Sequence, residues 1–253
     1  MNQQPPKKCL VTGATGVVGA PLVGELVRLG HAVTILARGD VAENVFPPTV
    51  EIIRGDLANQ AALENAARGA QWIFHLAAKL HISDPDENLR REYLETNVEA
   101  TRRLLELAFS NNAEKFVFFS TINVYGASRA GEIFDESIPI NPDGFYAESK
   151  AEAEKSVLAA KNQNGEKIGV CLRLAAVYGS RMKGNYVRLL EAVRRGRFFF
   201  IGDGHNRRTL IHQQDAARAA VLAAQKSEGG EIYNATDGHV HSFLEIVAAM
   251  SLA

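Results

Sequence analysis

Thr12-Gly13-Ala14-Thr15-Gly16-Val17-Val18-Gly19 decides how this chain reads. The apolar run Cys9-Leu10-Val11 leads into it, and a helical pattern from Pro21 to Leu29 leads out. Glycine recurs at every third position where a strand should give way to a helix. Gly13 can take the tight turn, Gly16 lets backbone come close to a ligand, and Gly19 lets the helix pack on the turn. The free N–H groups and positive dipole of a helix start favour an anion. Flanked by strand and helix, the stretch reads as a cradle for the pyrophosphate of a dinucleotide.

Outward from it, strand and helix patterns alternate. Ala32–Leu36, Glu51–Arg54, Trp72–Leu76, Lys115–Ser120 and Ile168–Leu174 read as strands. Ala20–Leu29, Gln60–Ala67, Glu92–Ser110 and Tyr146–Lys161 read as helices between them. The strands are continuous Val/Ile/Leu/Phe runs, as expected when both faces are covered. The fold class is therefore α/β: a Rossmann doubly wound parallel sheet over residues 1–174. After residue 175 the rhythm breaks. A helix at Val187–Gly196, a strand at Phe198–Ile201, a helix at Asp215–Gln225 and a strand at Ile232–Tyr233 follow. Ser242-Phe-Leu-Glu245 then has capping-box spacing ahead of a last helix. Residues 175–253 are expected to form a small C-terminal α/β substrate-binding domain, partly interleaved with the first and set over the carboxyl edge of the sheet.

Composition narrows the class. The 253 residues suffice for a full core, and 46% hydrophobic with 23% charged residues is ordinary for a globular chain. A net charge of -1 supplies no global field toward nucleic acid or a membrane surface. Met1 to Lys8 lacks the apolar core of a signal peptide, and no run approaches the ~18 apolar residues of a membrane span. Cys9 and Cys171 both lie in apolar runs and read as reduced core thiols, so a cytoplasmic compartment is expected.

The end of the second strand should discriminate between cofactors. An acidic residue there would favour NAD through the ribose 2′-OH, but Leu36 is followed by Ala37 and Arg38. A guanidinium suits a 2′-phosphate, so NADP is favoured over NAD, with Asp40 nearby as the counter-indication. Asp56, after the third strand, could accept from the adenine amino group or cap the next helix. His75 reads as a satisfied core histidine beside the small residues Ala77 and Ala78. Tyr146 and Lys150 are four apart on a helix and share a face. An ammonium beside a phenol favours the phenolate, and with the hydroxyls of Ser120 and Thr121 this makes a proton relay suited to alcohol–carbonyl interconversion.

These residues, taken together, resemble the extended short-chain dehydrogenase/reductases, the NAD(P)-dependent epimerase/dehydratase family. The resemblance rests on Thr12 to Gly19, Asp56-Leu57, His75-Leu76-Ala77-Ala78, Thr96-Asn97, Ser120 to Gly126, Tyr146-Ala-Glu-Ser-Lys150 and Leu172 to Gly179, in family order over nearly the whole chain. It implies Thr121, Tyr146 and Lys150 as the catalytic set, with Ser120 as the other hydroxyl. It implies cofactor contacts from Gly13, Thr15, Gly16, Val17, Gly19, Arg38, Asp56, Leu57, Leu76, Ala77, Ala78, Asn97, Tyr146 and Lys150. Lys79 falls where the family places substrate or cofactor contacts.

Gly202 to Asp215 is similar to the substrate signature of nucleotide-sugar epimerases and dehydratases, in which an arginine matching Arg208 grips the diphosphate. The resemblance thus implies a nucleoside-diphosphate sugar as substrate and a homodimer through the helices near Thr101 and Ala151; from charge and composition, no nucleic-acid or membrane partner is expected. Ala176 stands where many sugar-nucleotide enzymes have asparagine, and Arg38 departs from their usual NAD preference. Both departures suit an NADP-dependent reductase of a ketone or aldehyde. A cofactor-binding module without catalysis is the remaining reading. Typical extended members continue past the last helix, leaving a truncated or a minimal substrate domain as the expectation.

Overall fold

A computed structural model describes residues 5–42, 44–80, 87–127, 132–182, 185–200 and 202–252. Seven parallel strands form the main sheet: β1 (Lys8–Thr12), β2 (Ala32–Ala37), β3 (Glu51–Arg54), β4 (Trp72–His75), β5 (Lys115–Thr121), β6 (Gly169–Leu174) and β9 (Glu231–Ala235). Their order is β3-β2-β1-β4-β5-β6-β9. The chain runs from β1 outward to β3, then returns to the other side of β1 at β4, so the order reverses there. In open α/β sheets the ligand crevice lies at that switch point, beyond the carboxyl ends of the strands.

Helices cover both faces, which is why these strands are apolar throughout. On one face α1 (Gly19–Arg28) packs against α7 (Gln213–Lys226), with Leu22, Val23, Leu26, Ala216, Ala217 and Ala220 in one apolar cluster. On the other, α2 (Gln60–Ala67), α4 (Ala100–Ser110) and α5 (Phe145–Ala159) close over Leu63, Leu104, Phe116, Phe118, Val157 and Cys171. A second sheet, β10-β8-β7, joins β7 (Ala176–Tyr178), β8 (Arg207–His212) and β10 (Val240–Ser242). A single residue, Ala175, separates β7 from the end of β6, so the small sheet extends from the carboxyl edge of the large one. Two helices accompany it, α6 (Asn185–Arg194) and α8 (Phe243–Ser251), which pack together. Ser242 and Glu245 form the capping box of α8.

Residues beyond 174 also build the main layers, since β9 pairs in parallel with β6 and α7 seals the α1 face. Three features differ from the sequence expectation. Phe198–Ile201 is not a strand: residues 197–200 are irregular, and Ile201 lies outside the described residues. The rings of Phe198, Phe200 and Phe243 pack edge-on at 5.1–6.1 Å instead of alternating across a sheet. The expected Glu92–Ser110 helix is built as α3 (Glu87–Tyr93), a wider π turn at Leu94–Glu99, and α4. Helix α2 is capped by Asn59, whose Oδ1 accepts from Ala62 N at 3.1 Å, rather than by Asp56.

Candidate active site

The glycine stretch is the turn from β1 into α1. Gly13 has φ 73°, and a Cβ there would lie 2.7 Å from Ala77 N, so the turn rests directly on the loop after β4. A Cβ at Gly19 would lie 2.3 Å from Gly13 O, because α1 starts pressed onto the same turn. Thr15 is exposed at its tip, and Gly16 and Val17 are half-buried. No side chain caps α1 at Val18, and its first turn carries no acidic residue. An uncapped helix start free of carboxylates fits an anionic diphosphate, and the backbone from Gly13 to Gly19 would hold one.

The adenosine end of such a ligand falls at the carboxyl ends of β2 and β3. Arg38 and Asp56 approach to 3.8 Å there, and Arg54 and Asp40 to 2.9 Å. All four side chains are exposed, so these ion pairs are weak and open to exchange with a ligand. Asp56 also turns its own backbone, accepting from Ala58 N at 3.0 Å. Leu57 is buried in the core.

A buried polar chain ties the glycine turn to the catalytic helix. Thr101 Oγ1 donates to Asn97 O at 2.7 Å, so it accepts from His75 Nε2–H at 3.0 Å. His75 Nδ1 is then left to accept from Thr12 Oγ1 at 2.7 Å. Burial, and then the charge of Lys150, push His75 down to about 3, so it is a neutral strut, in keeping with its reading as a satisfied core residue. Asn97, at the π turn, accepts from Lys79 N at 2.8 Å and donates to Lys79 O at 3.1 Å and Ser149 Oγ at 3.0 Å. Ser149 Oγ donates in turn to Tyr146 O at 2.8 Å. Asn97 is 1% exposed, and its amide braces the loop after β4 against α5. Leu76, Ala77 and Ala78 lie in that braced loop, half-buried. The sequence does not mark Thr101 and Ser149 as site residues, because nothing in their spacing announces a contact across 26 or 52 residues.

Thr121 ends β5 and opens the short 3-10 turn Ile122–Tyr125, accepting from Asn123 N at 3.2 Å. The turn packs on α5, which carries Tyr146 in its first turn and Lys150 one turn on. Ser120, the other candidate hydroxyl, is buried and has no hydrogen-bond partner among the described residues.

The expected lowering of the Tyr146 pKa by Lys150 is not observed. Burial, with a smaller contribution from Tyr93, raises Tyr146 to about 12. Burial lowers Lys150 to about 7, and its Nζ lies 3.8 Å from the centroid of the Phe118 ring. By itself the chain holds Tyr146 as a protonated acid and Lys150 at the edge of neutrality. The two thiols are inert in the same apolar surroundings: burial pushes Cys9 up to about 12 and also raises Cys171.

The two expected substrate contacts stand on different elements: Lys79 in the loop after β4, its main chain braced by Asn97, and Arg208 on β8. The Lys79 ammonium pairs with Glu92, which engages it within the chain. Arg208 is exposed on β8, its Nη1 donating to Arg207 O at 3.0 Å and its charge reaching Tyr186 on α6. Among the described residues no three His, Cys, Asp or Glu side chains are grouped to hold a metal, and no helix is long and apolar enough to cross a membrane.

A parallel sheet with a glycine turn at its switch point and a Tyr/Lys helix beside it defines a nucleotide-dependent alcohol–carbonyl enzyme. The model of the NAD dependent epimerase/dehydratase family matches residues 9–236, and the chain belongs to that family. It is 30% identical to a dTDP-glucose 4,6-dehydratase of Streptomyces niveus, over 94% of this chain and 75% of that one. It is 27% identical to a sterol-4-alpha-carboxylate 3-dehydrogenase (decarboxylating) of Dictyostelium discoideum, over 92% of this chain and 72% of that one. Among solved structures it resembles MoeE5 in complex with UDP-glucose and NAD, at 32% identity and a TM-score of 0.82, covering 97% of this chain and 81% of that one. UDP-glucose 4-epimerase of Thermus thermophilus in complex with NAD gives 29% identity and the same TM-score of 0.82, covering 97% and 82%. The chain is accordingly an oxidoreductase or isomerase that uses an NAD(P) nucleotide.

Proposed function

We propose that the chain is an NAD(P)-dependent epimerase of a nucleoside-diphosphate sugar, working through a transient keto intermediate. The observation that carries this reading is the packing of the turn that Thr121 opens on α5, the helix of Tyr146 and Lys150, together with an anion-receptive glycine turn at the switch point of the same sheet. The small sheet carrying Arg208 extends from the same edge. MoeE5 in complex with UDP-glucose or UDP-glucuronic acid, and the dTDP-glucose dehydratase, support the substrate class.

When bound, the nicotinamide supplies a hydride acceptor and donor. Tyr146 takes the proton of the reacting sugar hydroxyl and returns it after the keto sugar has turned over. Thr121 holds the sugar oxygen by hydrogen bond, and Lys150, when charged, stabilises the phenolate. Arg208 receives the diphosphate. A homodimer through α4 and α5, whose outer faces Arg102 and Glu152 join at 3.1 Å, is part of this reading.

The deciding experiment is a panel of UDP- and dTDP-sugars with oxidised and reduced cofactor. Epimerisation without net cofactor consumption supports the proposal. Stoichiometric NADPH oxidation by a simple ketone supports the second reading, a carbonyl reductase, which Arg38, Ala176 and the sterol dehydrogenase relative favour.

NADP is the preferred cofactor in either reading. Replacing Arg38 by Ala should weaken NADPH binding about tenfold or more, the worth of a charge-assisted hydrogen bond, and change NADH binding less than about twofold. Equal losses in a fluorescence titration would remove the preference.

A further inference from the structure

Below the Tyr146/Lys150 pair lies a buried charge pair that the proposed chemistry does not use. Glu154 sits one helical turn beyond Lys150 on α5, at the i, i+4 spacing that makes side chains neighbours. Its carboxylate is 1% exposed and is gripped by Arg173 of β6, 3% exposed. Arg173 Nη2 reaches Oε2 at 2.7 Å and Nε reaches Oε1 at 3.1 Å. The guanidinium also lies 4.8 Å from the centroid of the Tyr125 ring, in the turn that Thr121 opens, and Tyr125 OH donates to Asn234 Oδ1 of β9 at 2.9 Å. Arg173 is paired across the sheet with Ser120, next to Thr121. One guanidinium therefore touches the catalytic helix on one side and the catalytic-hydroxyl turn on the other.

We propose that Arg173 is a positioning residue: by occupying the Glu154 carboxylate it prevents Glu154 from drawing Lys150 down the helix, and so leaves the ammonium at the level of Tyr146. Without Arg173, the nearest cation to the buried carboxylate on the same helix face is Lys150. An unpaired charge in the interior is costly enough to recruit it. The other titratable groups around Lys150 are Tyr146 on its own helix, Tyr93 at the end of α3, His75 on β4 and Cys171 on β6. The thiol is held protonated and the imidazole neutral, so neither replaces Arg173 as counter-charge. The low Lys150 pKa fits this arrangement, since burial outweighs the attraction of Glu154.

The inference rests on Lys150 belonging to the site, and its readout is the titration of Lys150 itself, independent of any substrate. The full chain carrying 13C,15N-lysine is titrated by NMR with and without NADH, Lys150 being assigned from Lys150→Met. In Arg173→Met the Lys150 midpoint should rise by a pH unit or more, as Glu154 pairs with it. In Glu154→Gln/Arg173→Met, which has no carboxylate to recruit Lys150, it should return to or below the wild-type value. Arg173→Lys, which keeps the counter-charge, should stay within half a unit. Arg173→Gln replaces Arg173→Met if the latter does not fold. A midpoint that does not move in the Met or Gln variant, or that stays high in the double variant, overturns the proposal. Either result leaves the sugar-nucleotide reading to its own panel.

Discussion

Tyr146→Phe is expected to lower kcat by about 10²–10⁴, the range over which a positioned general acid–base acts. Among the described residues the Tyr146 hydroxyl makes no hydrogen bond; the residue is held through its ring against Tyr93 at 6.2 Å and through its carbonyl to Ser149. Removing the oxygen therefore breaks no bond of the fold, and the loss should be one of proton transfer alone. It should appear in kcat at every pH, because the group that titrates has gone. Turnover within about tenfold of wild type, on the sugar nucleotide identified by the panel, would reject Tyr146 as the proton carrier.

The same residue shows how far the sequence could be read. Tyr146 and Lys150 are four apart, so their shared face is local information, as are the glycine spacing and the apolar strands that frame it. What surrounds them is not local. Lys150, held at about 7, is buried where α5 packs on β5 and β6, Tyr146, raised to about 12, lies against Tyr93 of α3, and this burial reverses the simple expectation of an ammonium lowering a phenol. Asn97 was legible as a motif residue but not as a strut, because its partners, Lys79 and Ser149, are 18 and 52 positions away. Asp56 and Asn59 are both good caps, and only the path of the chain decides that Asn59 closes α2. In the tail, β7 and β10 are three residues each, too short to show a period, and the three successive phenylalanines at 198–200 mimic a strand, while Phe198 and Phe200 cluster with Phe243 and Phe199 is exposed.

Lys150 also makes a large prediction for stability. Its ordinary value is 10.5 and the fold holds it at about 7, chiefly through burial. Below pH 7 the side chain is protonated in both native and unfolded chains, and the native state carries the full cost of a buried charge. Between 7 and 10.5 the unfolded chain keeps a proton that the native chain has released, so stability rises with pH through this window. The gain is lost again as pH falls from 10.5 to 7. At about 1.4 kcal/mol per pH unit, Lys150 alone should add about 2–3 kcal/mol between pH 7 and 9. Cys9, Cys171 and Tyr146, all held protonated, act in the opposite direction at alkaline pH, so the comparison must be made against Lys150→Met, in which they remain. In urea denaturation without cofactor, Lys150→Met should exceed wild type in stability by most at pH 6–7, and the gap should narrow by that amount toward pH 9. A gap independent of pH would mean that Lys150 finds a counter-charge in the fold strong enough to restore its ordinary value, and the poise of Tyr146 and Lys150 described above would have to be abandoned.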